Sequence, residues 1–385
     1  MLLSNSPYID KVKIERALKA ASDTISRNII KFQDHFPSDY SYDGVYKYAN
    51  NIEAVDWKSG FWNGLVWLLY EYNKLTPIRC YGEKITDDLC ALFEKNGLLC
   101  SDLGFLMMPS CVANYHFTNS RISKETIITA ADSLLTKYHN TTSIICSFDE
   151  ELEEDYLSCK ISNLLNIQLL MCAYKITDNI KYITIAEENT KLIIKHNIEE
   201  NGKTYFRAFF DRSSGKFINR KLITTNPRIN DSGYNSRNYA WALYGLSILY
   251  HTSRDSFYHN MFCKVFDFWE KLNTSSFVYV SLGHEHEMIY DNMSAAIIVS
   301  SLCTICKTDI PEKERYIKKA SEILNTLIDN FIPQSSQLYE GLITVYFDAN
   351  IDSSKPHCSL MCDYFYYEAL MNSSYNRDSF WYETK

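Results

Sequence analysis

Apolar residues along this chain recur mostly every three or four positions, the spacing that places them on one face of an α-helix. The pattern predicts about twelve helices of similar length, several of them preceded by residues that suit a helix start. The predicted helices span residues 9–32, 60–74, 84–95, 103–118, 124–138, 160–175, 179–195, 236–252, 255–271, 291–306, 312–330 and 358–372. Short β-like runs lie between some of them, namely TTSIICSF, KTYFRAFF, SSFVYVSL and QLYEGLITVYF.

Consecutive helices of this length must each bury one face inward and another face against a neighbouring helix. A closed ring of six helical hairpins, the (α/α)6 barrel, satisfies both needs. We therefore predict an all-α fold with short β segments in its loops, and one domain over residues 1–385. An open helical solenoid is the competing architecture, but no fixed-period repeat supports it.

Composition narrows the classes of partner. The 385 residues are 46% hydrophobic and 22% charged, which is ordinary for a globular protein. Lys and Arg number 39 against 47 Asp and Glu, and no basic stripe is present, so a nucleic-acid partner is disfavoured. No apolar segment is long enough to span a membrane, and the N-terminus does not read as a signal peptide. We expect a cytoplasmic protein without a membrane partner.

The twelve cysteines are scattered through apolar helical segments, which favours reduced, buried thiols. CTIC, with Cys303 and Cys306, could be combined with Cys358 and Cys362 into a zinc site, but the spacing is loose and core positions are the simpler interpretation. The two histidines of GHEHE at residues 283–287 lack a third ligand and are interpreted as part of a polar loop. We expect no metal and no cofactor.

Asp102 is a lone carboxylate between Ser101 and a long apolar run in LLCSDLGFLMMPS. A short acid at this place can cap a helix, because its oxygens accept hydrogen bonds from the free backbone N–H groups. The alternative is a catalytic acid at the floor of a cavity. The pattern alone leaves both interpretations open.

Three stretches in order resemble the unsaturated glucuronyl hydrolases of glycoside hydrolase family 88. They are WKSGFWNGLVWLLYEYN at residues 57–73, SDLGFLMMPS at 101–110 and SRNYAWALYGLSILY at 236–250. The family carries W-x-x-G-F-W-x-G-x-x-W, H-D-[LI]-G-F and W-x-R-G-Q-A-W-x-x-Y-G there. Two later pieces, at residues 290–302 and 359–371, extend the likeness. The resemblance implies an (α/α)6 barrel that hydrates the C4=C5 bond of unsaturated uronyl oligosaccharides.

The resemblance also implies roles for particular residues. Asp102 matches the aspartate of the H-D-L-G-F motif and would be catalytic. Trp62 would stack on a sugar ring at the cavity mouth, and its alternative is a core position in an amphipathic helix. Arg237 would pair with the uronate carboxylate, and its alternative is a surface salt bridge. Trp241 lies one turn beyond Arg237 and would face the same cavity, more as wall than as contact. Asp291, at the start of a predicted helix, is interpreted as an N-cap.

The chain departs from the family at the second catalytic aspartate, which sits in I-D-x-M-M-N-L-P-L-L. The matching segment is ISNLLNIQLL, which places Ser162 where that acid should be. A serine hydroxyl does not titrate near neutrality and cannot replace a carboxyl as proton donor. Either a carboxylate from the acidic run at residues 149–155 replaces it, or the chain is a catalytically impaired barrel that binds carbohydrate. The simplest interpretation of the acidic run is a solvated loop.

Overall fold

The computed structural model describes residues 7–8, 10–49, 58–96, 102–146, 156–222, 234–282, 289–333, 339–346, 357–375, 377 and 379–381. Within these residues, helices alternate between an inner and an outer layer. The inner layer consists of α2 (Ser59–Asn73), α4 (Leu103–Met107) with α5 (Ala113–Thr118), α7 (Asn163–Asn166) with α8 (Gln168–Thr177), α10 (Ser236–Ser253), α12 (Asn292–Ile305) and α14 (Leu360–Ser374). The outer layer consists of α1 (Lys11–Phe32), α3 (Thr76–Asn96), α6 (Arg121–Leu135), α9 (Ile180–Asn197), α11 (Ser256–Leu272) and α13 (Lys313–Phe331).

The inner helices form a closed ring. Helix α2 contacts α4, α4 contacts α7, and α7 contacts α10; α10 then packs on α12, α12 on α14, and α14 returns to α2. Each outer helix packs on the inner helix beside it in the chain, and α1 covers α14. This closure confirms the predicted (α/α)6 barrel and excludes the open solenoid.

Burial follows the layers. Helix α12 is buried along its whole length, because it is covered by the outer helix on one side and by the barrel interior on the other. The outer helix α13 buries one stripe, formed by Tyr316, Ala320, Leu324 and Leu327, and exposes the opposite face. No helix within the described ranges is both long and apolar enough to cross a bilayer.

Short antiparallel sheets occupy the connections. They are the hairpin β1 (Pro37–Tyr42) with β2 (Val45–Tyr48), the pair β3 (Tyr138–His139) with β4 (Ile144–Ile145), the sheet β5 (Tyr156–Lys160), β6 (Arg207–Asp211) and β7 (Phe217–Lys221), and the pair β8 (Tyr234–Asn235) with β9 (Ser281–Leu282). In the three-stranded sheet Tyr156 pairs with Asp211 and Lys160 with Arg207. Three predicted β runs overlap β4, β6 and β9. The described part of the fourth, QLYEGLITVYF, has only an isolated bridge from Val345 to His357, so that prediction was wrong.

Most predicted helix boundaries lie within a few residues of the observed ones. The outer helix predicted at 84–95 begins earlier, at Thr76, where Pro77 in the first turn suits a helix start. The predicted helix 103–118 contains a π-helical segment, Met108–Val112, between α4 and α5. Pro109 lies in that segment, and its missing N–H removes one donor from the helix. The thiols of Cys303, Cys306, Cys358 and Cys362 are buried in the core, in agreement with the sequence interpretation.

Two glycines of the motifs allow the inner helices to approach closely. A Cβ at Gly104 of α4 would lie 2.4 Å from the Cα of Asn166 in α7. A Cβ at Gly60 of α2 would lie 2.4 Å from the carbonyl oxygen of Leu106. Both distances are far below van der Waals contact, so any side chain would push α2, α4 and α7 apart.

Aromatic side chains fill the barrel about one turn below the N-terminal ends of the inner helices. The ring of Phe105 meets the edge of Trp241 at 5.2 Å between centroids, and Trp241 meets Phe365 at 5.6 Å. Trp381, near the C-terminus, is fully buried beneath them, 5.5 Å from Phe105. Its indole Nε1 donates a hydrogen bond to the hydroxyl of Tyr364. We call the layer of Phe105, Trp241 and Phe365 the aromatic floor.

Replacing Gly104 by alanine tests the close approach of α4 and α7. We expect the Gly104→Ala variant to lose about 1–3 kcal/mol of unfolding free energy, because its Cβ meets backbone that cannot move without shifting a helix. Urea unfolding measures the loss. Gly82→Ala in the outer helix α3 is the matched control, since its Cβ would meet only a side chain, at 3.0 Å, and alanine favours the helix. Equal losses in the two variants would contradict the account.

Candidate active site

Asp102 lies at the mouth of the barrel, directly before α4. It occupies the N-cap position, but its side chain makes no capping hydrogen bond. Instead, its Oδ1 accepts a hydrogen bond of 3.0 Å from Nδ2 of Asn166. The residue is partly exposed. Side-chain capping is therefore the wrong interpretation, and the carboxylate remains accessible at the mouth.

Asn166, the partner of Asp102, lies in the ISNLLNIQLL segment and was not predicted as a site residue. It ends α7, is 2% exposed, and its Nδ2 also lies 3.4 Å from Oδ1 of Asn163. Its own Oδ1 is buried and accepts no hydrogen bond from the described residues. Ser162 precedes Asn166 by four positions, at the N-cap of α7 and in helical conformation. Residues spaced in this way share a helix face, so Ser162 lies on the side of α7 that faces Asp102.

Arg237 is paired within the fold. Its Nη2 lies 2.7 Å from Oδ1 of Asp291 and its Nε lies 3.2 Å from Oδ2, which is a bidentate ion pair between α10 and α12. Asp291 is 2% exposed and also accepts a hydrogen bond from the backbone N–H of Ser294, as predicted for an N-cap. The predicted pairing of Arg237 with a substrate carboxylate stays a prediction, and the structure adds a role for Arg237 in joining two inner helices. The Nε and Nη2 positions of the fork already hold a buried carboxylate.

The predicted stacking of Trp62 on a sugar ring needs correction. Its side chain is 1% exposed, and its ring is met on edge by Phe32 at 5.8 Å and by Tyr81 at 6.4 Å. A ring enclosed in this way has no open face for a sugar. Trp62 is a core residue between α2 and the outer layer.

Trp241 keeps the place that the sequence predicted for it. It is 7% exposed and forms part of the aromatic floor, one helical turn beyond Arg237. Phe105, its neighbour in that floor, lies one turn beyond Asp102. The described mouth is thus a carboxylate about one helical turn above a buried aromatic layer, of which Trp241 is the most exposed ring. The C–H face of a sugar ring suits such an apolar, aromatic base. A direct contact between Trp241 and substrate stays a prediction.

Among the described residues, the other carboxyl groups of the inner layer support the fold. Glu71 pairs with Arg377, Asp291 with Arg237, and Glu368 accepts hydrogen bonds from Tyr244, Tyr364 and Ser379. The remaining one, that of Asp363 in α14, is engaged with the segment that precedes the helix. The carboxylate of Asp102 differs from these groups, because its only hydrogen-bond partner within the described part of the chain is the amide of Asn166.

Asp363 is fully buried. Its Oδ1 accepts hydrogen bonds from the backbone N–H groups of Leu342 and Ile343, and its Oδ2 accepts one from the hydroxyl of Tyr46. Burial raises the pKa of this carboxyl to about 7, although the three donors oppose the shift. Its role is to anchor β2 and the segment around residue 342 to α14. The raised pKa reports burial and does not make it a second catalytic acid.

Two sequence features lie outside the described residues. They are the GHEHE segment at residues 283–287 and the acidic run at residues 149–155. The proposal that the acidic run supplies a second acid stays a prediction.

The (α/α)6 barrel and the carboxylate above the aromatic floor fit the class of carbohydrate-active barrel proteins. Comparison with known proteins agrees with this class. No family model matches the chain. An unsaturated chondroitin disaccharide hydrolase of Streptococcus pneumoniae is 26% identical, over 97% of this chain and 95% of the relative. An unsaturated glucuronyl hydrolase of Bacillus sp. strain GL1 is 25% identical, over 96% and 99% of the two chains.

The structural comparison gives the same result. The crystal structure of an unsaturated glucuronyl hydrolase from Streptococcus agalactiae superposes with a TM-score of 0.88 at 25% identity, covering 98% of this chain and 96% of the other. These matches confirm the resemblance found in the sequence: the chain is a homologue of the unsaturated glucuronyl hydrolases over nearly its whole length.

The buried carboxyl of Asp363 predicts how stability depends on pH. Its pKa of about 7 lies above the value of about 4 for an unfolded chain. The folded state therefore holds a proton that the unfolded state releases, and this contribution to stability falls as pH rises from about 4 to about 7. Asparagine does not titrate, so the Asp363→Asn variant lacks this pH-dependent contribution to stability. We expect the unfolding free energy of the wild type, relative to the variant, to decrease by up to roughly 4 kcal/mol across this window.

Urea unfolding at several pH values from 4 to 8 measures the difference. Asp23→Asn, a change at an exposed residue of α1, is the control and should run parallel to the wild type. Parallel curves for the wild type and Asp363→Asn would contradict the prediction.

Proposed function

We propose that the protein binds unsaturated uronyl oligosaccharides at the barrel mouth and hydrates their C4=C5 bond, with Asp102 as the catalytic carboxyl. The position of Asp102 carries this proposal. It is a partly exposed carboxylate that neither caps its helix nor pairs with a cation among the described residues. The homologues named for this activity, matched over nearly the whole chain, support it.

The chemistry is the hydration of a vinyl ether. A proton adds to C4 and the hydroxyl of water adds to C5, which gives a hemiketal. The hemiketal opens, and the bond to the next sugar breaks without direct displacement of the glycosidic oxygen. A carboxyl group can deliver the proton to C4 and, once ionised, accept a proton from the water, so protons balance over the cycle.

Asn166 positions Asp102 for this work. Its amide donates to Oδ1, which restrains the carboxylate. Gly104 makes the contact possible, because α4 and α7 approach without a side chain between them. The aromatic floor below excludes water from one side of the site, and this strengthens electrostatic interactions with the developing charge.

Ser162 supports a second candidate function. The serine stands where the resemblance places the second carboxyl, on the α7 face that carries Asn166. A general acid or base contributes typically 10²–10⁴-fold to a rate, so the chain would hydrate slowly or only bind. A carbohydrate-binding barrel associated with polysaccharide metabolism or assembly is therefore the alternative.

The substrate class follows from the relatives. Two of them are named for unsaturated chondroitin disaccharides and for unsaturated glucuronyl substrates, and both are oligosaccharides with a uronic acid. We propose unsaturated chondroitin disaccharides as the first substrates to test, followed by gellan-type and pectin-type products of polysaccharide lyases. A cytoplasmic location stays our prediction.

Loss of the ultraviolet absorbance of the C4=C5 bond measures turnover. We expect the wild type to be slow and Ser162→Asp to be about 10²–10⁴-fold faster, because the new carboxyl stands on the α7 face towards Asp102. Ser162→Asn is the matched control, because asparagine has the shape of aspartate but no titratable proton. This variant should remain slow. Adding Asp102→Asn to Ser162→Asp should abolish the gain.

Calorimetric titration with the same disaccharides separates the two candidate functions. Binding by the wild type without turnover, together with turnover in Ser162→Asp, would identify an impaired barrel with an otherwise intact site. Neither binding nor turnover in either protein, across all three substrate types, would contradict the proposed site.

A further inference from the structure

Three side chains with metal-binding atoms meet at the end of the barrel opposite the mouth. His259 and Cys263 lie on one face of α11, four residues apart, and Glu312 directly precedes α13. His259 Nε2 lies 3.6 Å from Cys263 Sγ and 3.4 Å from Glu312 Oε2. One ligand atom from each residue lies within 4.8 Å of the other two.

These separations fit a tetrahedral zinc ion. With bonds of about 2.05 Å to nitrogen, 2.3 Å to sulfur and 2.1 Å to oxygen, tetrahedral angles put nitrogen and sulfur about 3.6 Å apart and nitrogen and oxygen about 3.4 Å apart. The observed distances are 3.6 and 3.4 Å. Imidazole, thiolate and carboxylate are also the three ligand types that zinc takes in proteins.

The surroundings support a ligand at this place. Oε2 of Glu312 is covered from solvent and accepts no hydrogen bond within the described part of the chain. Tyr316 donates its hydroxyl to Cys263 Sγ at 3.3 Å, as an outer partner does for a metal thiolate. The ring of Tyr250 lies 5.1 Å from that of His259 and restrains the imidazole.

The site is enclosed but reachable. The side chains of His259 and Glu312 are 15% and 34% exposed. An ion can therefore enter from solvent and keep one coordination position for water. Along α10, Tyr250 lies thirteen residues beyond Arg237, which is about 20 Å of helix. The cluster is thus far from Asp102.

We propose that His259, Cys263 and Glu312 form a zinc site that links the outer helices α11 and α13. Its role is independent of the proposed hydrolase activity: the metal joins two neighbouring helical hairpins on the outside of the barrel. No metal was expected from the sequence, where only the cysteines around residues 303–306 and 358–362 and the GHEHE segment were considered as ligands, and Glu312 is far in the chain from His259 and Cys263. Only the packing of α13 beside α11 brings the three together.

Titration of the full-length, chelator-treated protein with Co²⁺ tests the proposal. We expect one Co²⁺ per chain, with the visible d–d bands of a tetrahedral site and a thiolate-to-metal charge-transfer band in the near ultraviolet. Zn²⁺ should displace the Co²⁺ and remove both signals. Zn²⁺ bound at 100 times its Kd should also raise the unfolding free energy by about 2.7 kcal/mol.

The variants identify the ligands. Cys263→Ser should lose the charge-transfer band, and Glu312→Gln, a change at a partly exposed side chain, should weaken Co²⁺ binding at least tenfold while the protein stays folded. Cys80→Ser, which removes an exposed thiol of α3, is the matched control and should bind as the wild type does. The absence of a thiolate band, or the same band in Cys263→Ser, would overturn the proposal, as would unchanged affinity in Glu312→Gln.

Discussion

The contact between α4 and α7 is the constraint on which the site depends. Position 104 has no room for a Cβ, since Asn166 Cα would lie 2.4 Å from it. Because the two helices approach so closely, the amide of Asn166 reaches the carboxylate of Asp102. A wider spacing would leave Asp102 free to turn back and cap its own helix. The close packing of the inner helices therefore decides whether this acid caps its own helix or faces the barrel mouth.

The residues that match the family motifs fall into two groups: those that pack helices together and those that are placed to take part in chemistry. Gly60, Gly104 and Trp62 match the motifs, and in the structure they allow or fill contacts between helices. Arg237 matches as well, but it holds Asp291 and so joins α10 to α12. Asp102 and the aromatic floor remain as the part of the signature that we propose acts on a sugar. We propose that the chain keeps the fold signature while the position of the second catalytic carboxyl, which Ser162 matches, has changed.

The helices were predictable because their apolar periodicity is local. The closed ring followed from the need of paired helices to bury two faces, and the resemblance implied the same barrel. The strands were predicted less well, because they are short and two of the pairings, β5 with β6 and β8 with β9, join distant segments. Strand β5, for example, pairs with β6 some fifty residues later in the chain. In the site, Asp102 was found from sequence. Asn166 was not, because nothing in a buried amide within an apolar helix shows which side chain it will meet. The enclosure of Trp62 likewise depends on Phe32 and Tyr81, which belong to other helices.

The crystal structure of the protein with an unsaturated chondroitin disaccharide bound is the measurement that tests the central claim most directly. The account predicts the unsaturated ring above the aromatic floor of Phe105, Trp241 and Phe365, with its C4 and C5 next to the carboxyl of Asp102 and on the side of α7 that carries Ser162 and Asn166. A disaccharide bound elsewhere on the barrel, or an Asp102 side chain turned away from the sugar, would contradict it.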